Sequence, residues 1–385
     1  MKAKYLIIAL VFLLVGVSQL MADEFEDGVR TFKISKGGTL TLELNTGSIH
    51  IKTWDKEEVK LVASGVSEES LKYLEISTKG NELVIKFLHN ADEDDFQAME
   101  FTVPSKLNLN LKTMSGDVEL GADIEGSVRI DTYGGNIITK NIVGSASLET
   151  KGGDIVLRDV TGNCSVNTYG GDIQIGEIKG GSGTVQTNGG DVHIKNVAKG
   201  ITVRTYGGDI NIGDIGGNSD LSTQGGDVTT GYVKGNLKME TYGGDLCMKG
   251  ADGSVVGKTN GGDIDLGKVD GSVDVKTLSG SVVVELNPAP NSESKISTNF
   301  GAIELIVPPT AKTTIEARIR VQGYWKEDKE NYSIDSDYKE KSMNYDEKKK
   351  NIIGVYELNG GGSKILIKNV NDDIMISKNR KTPKE

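Results

Sequence analysis

The stretch Thr168-Tyr169-Gly170-Gly171-Asp172-Ile173 decides the fold because it keeps returning. Variants of Thr-x-Gly-Gly-Asp-Ile begin at Thr113, Thr132, Thr150, Thr168, Thr187, Thr205, Thr223, Thr241, Thr259, Thr277 and Thr298. The steps between them are 19, 18, 18, 19, 18, 18, 18, 18, 18 and 21 residues. A fixed period of this size marks a repeat architecture, in which each unit buries its apolar face on the next.

Inside one unit, Cys164, Val166 and Thr168 share one strand phase, Ile173 and Ile175 share the next, and Ile178 follows a turn. Period two within strands and period 18 between them describe short strands separated by glycine corners. Glycine density, 50 of 385 residues, together with β-branched enrichment, excludes helix through the repeats. The predicted fold class is all-β: a single-stranded parallel β-helix or β-solenoid of roughly 18-residue coils with β-rich terminal caps. Right-handed winding is the default for parallel crossovers.

Outward from the repeats, residues 107–322 read as the solenoid and 23–106 as an amino-terminal β-rich cap. In that cap Gly47-Ser-Ile-His-Ile-Lys resembles a degenerate coil, and Leu74–Phe87 reads as a hairpin around Lys79-Gly80-Asn81. Residues 323–350 are polar and charged, end in Lys348-Lys349-Lys350, and read as a loop excursion. Residues 351–385 supply a carboxy-terminal cap and tail. A solenoid end exposes strand edges and open core, so divergent caps are expected there.

Residues 1–22 read as a signal peptide: Lys2 and Lys4, an apolar run to Val17, then Leu20-Met21-Ala22 before Asp23. The apolar run is short for a membrane span, and the chain has no second one. Export to the periplasm, cell surface or medium follows. Removing Lys2 and Lys4 from 44 basic residues leaves 42 against 55 acidic ones, a net −13. That balance argues against nucleic acid and anionic membrane surfaces as partners. Cys164 falls in an inward column and Cys247 in an outward one, about four coils or roughly 19 Å apart. Two free thiols are therefore expected.

Each column of the repeat allows a chemical reading. The threonines lie in the inward phase, which makes them a buried ladder bonded to turn backbone and not an outward ice-binding array. The glycine pairs read as corners with positive φ. The aspartates, including Asp154, Asp172, Asp191, Asp209, Asp227, Asp245 and Asp263, stack one strand spacing apart. They serve either as caps on turn amides or as calcium ligands, although the nonapeptide spacing of calcium β-rolls is not met. No other cofactor is implied. Tyr133, Tyr169, Tyr206 and Tyr242 occupy the position after threonine on every second coil and face outward. They either stack on sugar rings or seal the corner over the glycines. His50, His89 and His193 are isolated, and no nucleophile has a recognisable activating partner.

The leader, the opening that ends in Phe101-Thr-Val-Pro104, the Thr-x-Gly-Gly-Asp-Ile coils and the closing Gly301-Ala-Ile-Glu-Leu-Ile-Val-Pro308 carry a resemblance. The chain resembles the bacterial adhesin-type β-solenoid family of unknown function over most of residues 40–310. The resemblance implies a one-chain solenoid, an envelope or extracellular location and a proposed adhesion role, with no active-site residues. Related domains occur on cell-envelope stress proteins. The expected function is a non-enzymatic, adhesin-like binding or structural module whose long face meets surface glycan or envelope protein. The contrasting reading is a polysaccharide-active β-helix enzyme. Such enzymes build their sites from long loops, and a period varying by one residue from Thr113 to Thr277 leaves no room for them.

Overall fold

The structure, a computed structural model, describes residues 29–64, 72–88, 98–323 and 328–380. The leader reading at 1–22, His89 and the start of the segment after Gly323 lie outside them. Apart from a 3-10 turn at Lys329–Asn331, every regular element among the described residues is a strand.

Each repeat contributes one strand before its Thr-x-Gly-Gly-Asp corner and one after it. Cys164–Asn167 and Ile173–Ile178 are an example. The strands before the corner form one parallel sheet, here the threonine sheet, with Cys164 in register between Ala146 and Gly183. Those after it form the isoleucine sheet, where Ile173 sits between Ile155 and Val192. A third, narrow side is a column of single parallel bridges through Ile142, Val160, Ile178, Val197, Ile215 and Val233. The protein is a β-solenoid, and each regular coil has three sides and three corners.

Side chains alternate in and out because strand side chains alternate faces. Inward columns such as Ile130, Leu148, Val166, Val185 and Val203 are buried throughout. Each fully buried aliphatic side chain contributes about 1.5–3 kcal/mol of transfer free energy. The core is one continuous cluster running from Phe32 to Ile376.

At both ends the order of coils in space departs from their order in sequence. Thr39–Leu44 pairs in parallel with both Glu82–Phe87 and Asn108–Thr113. Ser48–Trp54 likewise lies between Ala98–Pro104 and Val118–Leu120. The segment read from sequence as a degenerate coil, from Gly47, thus supplies a strand to the isoleucine sheet, and Thr39–Leu44 just before it supplies one to the threonine sheet. At the other end Ser363–Val370 sits between Glu293–Ser297 and Thr313–Arg320. Ile374–Ser377 sits between Ile303–Ile306 and Ile334–Ser336. The coil carrying Thr39–Leu44 and Ser48–Trp54 and the last coil, Ser363–Ser377, are therefore each inserted inside the stack, while Val29–Lys33 lies at the sheet edge on Glu58–Ser64. Antiparallel strands finish the threonine sheet: Leu74–Lys79 at one end, and Asn351–Leu358 with Ser342–Asp346 at the other.

Candidate functional site

The Thr-x-Gly-Gly-Asp corner is the most regular exposed edge of the molecule, and its parts have separable roles. The Thr168 hydroxyl is buried, donates to the Gly153 carbonyl of the preceding coil at 2.9 Å, and accepts the Gly171 N–H at 3.4 Å. The same pair of bonds repeats at Thr150, Thr187, Thr205, Thr223, Thr241 and Thr259. The ladder bonds to turn backbone, as its inward phase requires.

The glycine pair works differently from the expectation of positive φ. Gly171 lies outside the left-handed region; among the described residues such values appear at irregular corners such as Gly116 and Gly301 and at terminal turns such as Gly80 and Gly360. The constraint is the approach of the next coil: a Cβ on Gly171 would lie 2.1 Å from the Gly153 carbonyl oxygen. A Cβ on Gly170 would meet its nearest atom at 3.6 Å, an ordinary contact. The second glycine is sterically required and the first is not.

The aspartates make bonds between coils. Asp154 Oδ1 accepts the Asp172 backbone N–H at 2.9 Å, and Asp172 Oδ1 accepts that of Asp191 at 2.8 Å. Asp191, Asp209, Asp227, Asp245 and Asp263 continue the ladder to Ser281. One oxygen of each carboxylate is thereby engaged by the adjoining coil. Among the described residues no three His, Cys, Asp or Glu side chains are gathered as a metal cluster. Similar side-chain ladders sit at the other two corners, through Asn141, Asp159, Asn196 and Asp214, and through Asn163, Asn218 and Asn236. These escaped the sequence reading because Asp, Asn and Ser alternate in them.

The tyrosines face solvent, with exposures that rise along the chain: Tyr133 46%, Tyr169 52%, Tyr206 59% and Tyr242 67%. Their backbones belong to the corner ladder, as where Tyr206 N–H donates to Asn188 and Gln224 N–H donates to Tyr206. The four are not equivalent. Lys151 Nζ lies 3.8 Å from the Tyr133 ring centre, so a cation covers that face. Tyr206 and Tyr242 instead line an open groove of about 430 Å³, with Gln224 between them, Asn260 one coil beyond, and Arg204, Glu240 and Lys258 along its edge. Exposed Leu278 continues the alternation two coils beyond Tyr242, and exposed Phe300 stands on the next coil. Sequence reading missed Leu278 because it followed tyrosine and not the column; Phe300 lies one position outside the column, in register with Ser279. The ridge from Met114 to Phe300 crosses ten coil steps, roughly 48 Å at strand spacing.

Cys164 is buried and burial pushes its thiol up to about 12, while Cys247 is half-buried with its thiol raised by burial and by Asp265, Asp245, Asp227 and Asp263. Both are free thiols. His50 Nδ1 stands 3.4 Å from a Glu119 carboxylate, an exposed surface pair.

A solenoid of stacked Thr-x-Gly-Gly-Asp corners defines the class of the protein. The Toastrack family model (DUF4097) matches residues 38–252 and 184–340, and the chain belongs to that family. No curated protein matches the sequence. One similar solved structure is a provisionally assigned cell adhesion protein from Clostridium sporogenes. It shares 6% identity, covers 91% of this chain and 98% of its own, and has a TM-score of 0.16. Another is a provisionally assigned adhesin from Bacteroides fragilis, at 11% identity, 90% and 95% coverage and a TM-score of 0.17. No helix among the described residues is long and apolar enough to cross a membrane.

Proposed function

We propose that the protein is an exported, non-enzymatic, adhesin-like module that binds surface glycan along the tyrosine ridge. The observation that carries this reading is the groove between Tyr206 and Tyr242. Two open aromatic faces two coils apart, about 10 Å, are separated by the amide side chain of Gln224, with Asn260 one coil beyond Tyr242. Aromatic faces stack on the apolar faces of sugar rings, and amides and edge charges bond their hydroxyls. The ridge is rigid because every corner is tied to its neighbours by backbone and threonine bonds, so little ordering entropy is lost on binding.

The enzyme reading finds less to work with. The Tyr232 hydroxyl donates to Asp252, and that carboxylate pushes the tyrosine up to about 12. A phenolate base for a lyase reaction needs the opposite shift.

A glycan array probed with residues 23–385 tests the ridge. Binding should fall in the Tyr169→Ala/Tyr206→Ala/Tyr242→Ala variant while its circular dichroism stays unchanged. Failure of the parent protein to bind any glycan, or equal binding by the variant, removes the ridge as a site. Running the array in calcium and in chelator tests the aspartate column in parallel.

A further inference from the structure

At the carboxy-terminal end of the same edge lies a larger groove, about 1030 Å³, lined by Lys276, Arg318, Arg320, Lys348, Lys349, Lys350 and Lys368, with no acidic side chain among the described residues. This is conspicuous on a chain of net charge −11. The cations come from segments far apart in sequence and are assembled by the interleaved end of the stack. Lys276 is in register with Ser297, Ser297 with Lys368, and Lys368 with Arg318. That places three cations along four adjacent strands, roughly 14 Å. Arg320, on the same strand as Arg318, and the turn carrying Lys348–Lys350, between Ser342–Asp346 and Asn351–Leu358, supply the rest.

Several cations elsewhere on this face are paired with carboxylates. Lys258 and Lys238 share Glu240, and Arg204 meets Asp220. In the groove, Lys276, Arg320, Lys348, Lys349 and Lys368 have no acidic partner among the described residues. Glu316 is engaged by Arg318, and Asp346 accepts the Lys349 amide. Arg318 Nε is buried without a hydrogen-bond partner. Lys350 holds φ 53°, a conformation that favours glycine or asparagine, with its Nζ 2.6 Å from the Gly323 carbonyl. Concentrated like charge is unfavourable unless an anion neutralises it.

We infer that this groove binds an acidic polysaccharide, one bearing carboxylates or sulfates spaced along an extended chain. Spread cations suit spaced anions better than a single phosphate. Among the described residues no aromatic side chain lines the groove for nucleic-acid bases to stack on, and the overall negative charge penalises a dense polyanion most. The groove shares Thr298 and Asn299 with the end of the tyrosine edge, so one glycan can occupy both. Assignment of the ligand as a sugar rests on the ridge reading; the anionic character rests on the groove alone.

The test is titration of polygalacturonate into the full chain at low salt with chelator, beside neutral dextran, polyglutamate and duplex DNA. Polygalacturonate should bind, weaken as salt rises, and bind about tenfold or more less tightly to Lys348→Glu/Lys349→Glu/Lys368→Glu. Unchanged binding by that variant, or no binding by the parent protein, overturns the groove. Polyglutamate or DNA binding as tightly as polygalacturonate overturns the sugar assignment. Tyr206→Ala/Tyr242→Ala separates the two readings: binding lost there and kept in the lysine variant leaves the ridge and rejects the groove. The reverse pattern leaves the groove and rejects the ridge.

Discussion

At the scale of the residue, two glycines side by side have opposite tolerances. Gly171→Ala would drive a Cβ against the backbone of the preceding coil, and backbone cannot swing aside as a side chain can. The expected cost is about 3 kcal/mol, at the upper end of the overpacking range, whereas Gly170→Ala, with ordinary contact distances, should melt like the parent. Equal melting temperatures for the two variants would refute the steric account. The pair itself was legible in the sequence; its reason was not, because a close approach is a relation between residues 18 positions apart. Thr230 and Thr139 show the converse case. Their buried hydroxyls lack partners, unlike those of the corner threonines. Thr230→Val keeps the shape and removes an unsatisfied donor, so it should stabilise the fold by about 1 kcal/mol. Chemical denaturation measures this, and a destabilised variant would show that the hydroxyl has a partner.

At the scale of the element, neighbouring coils are held by charge as well as by backbone. Lys179 beside Asp159 holds that carboxyl below its usual range and Lys86 does so for Glu43, each from an adjoining layer; Glu240 is lowered by Lys238 on its own strand and also by Lys258 on the next coil. Groups with depressed folded pKa values contribute stability that is present above the unfolded value, near pH 4, and lost as pH falls through the folded value. The melting temperature should therefore drop as pH falls below about 4, and Asp159→Asn should flatten part of that slope. A flat profile from neutral pH to pH 3 would contradict it. Strand phase, inward columns and the exposed tyrosines were readable because period two and period 18 leave a direct trace in the sequence. Which tyrosine face is open was not. Lys151 over Tyr133 and the groove beside Tyr206 depend on rotamers across adjacent coils, and residue type alone does not set those.

At the scale of the molecule, the interleaved ends decide what the repeat could not foretell. The basic groove exists because the last coil in sequence, Ser363–Ser377, is inserted beneath the coil that contains Thr313–Arg320. No periodicity encodes that exchange, since it is a choice of neighbour among strands of similar pattern. Repeat stacks behave as sums of units and nearest-neighbour interfaces, so removing an inserted layer should have local consequences. Ending the chain at Gly362 would strip Glu293–Ser297 and Ile303–Ile306 of their outer neighbours. It would leave Thr313–Arg320 attached to its antiparallel partner Asn351–Leu358 alone. Hydrogen exchange on the truncated protein should show lost protection from Glu293 onward. The coils from Thr150 to Thr259 should keep theirs, each still lying between two intact neighbours. Retained protection at Ile296 and Ile303 would mean that the last coil is not the layer that closes them, and loss of protection throughout would mean that the ends hold the whole stack together.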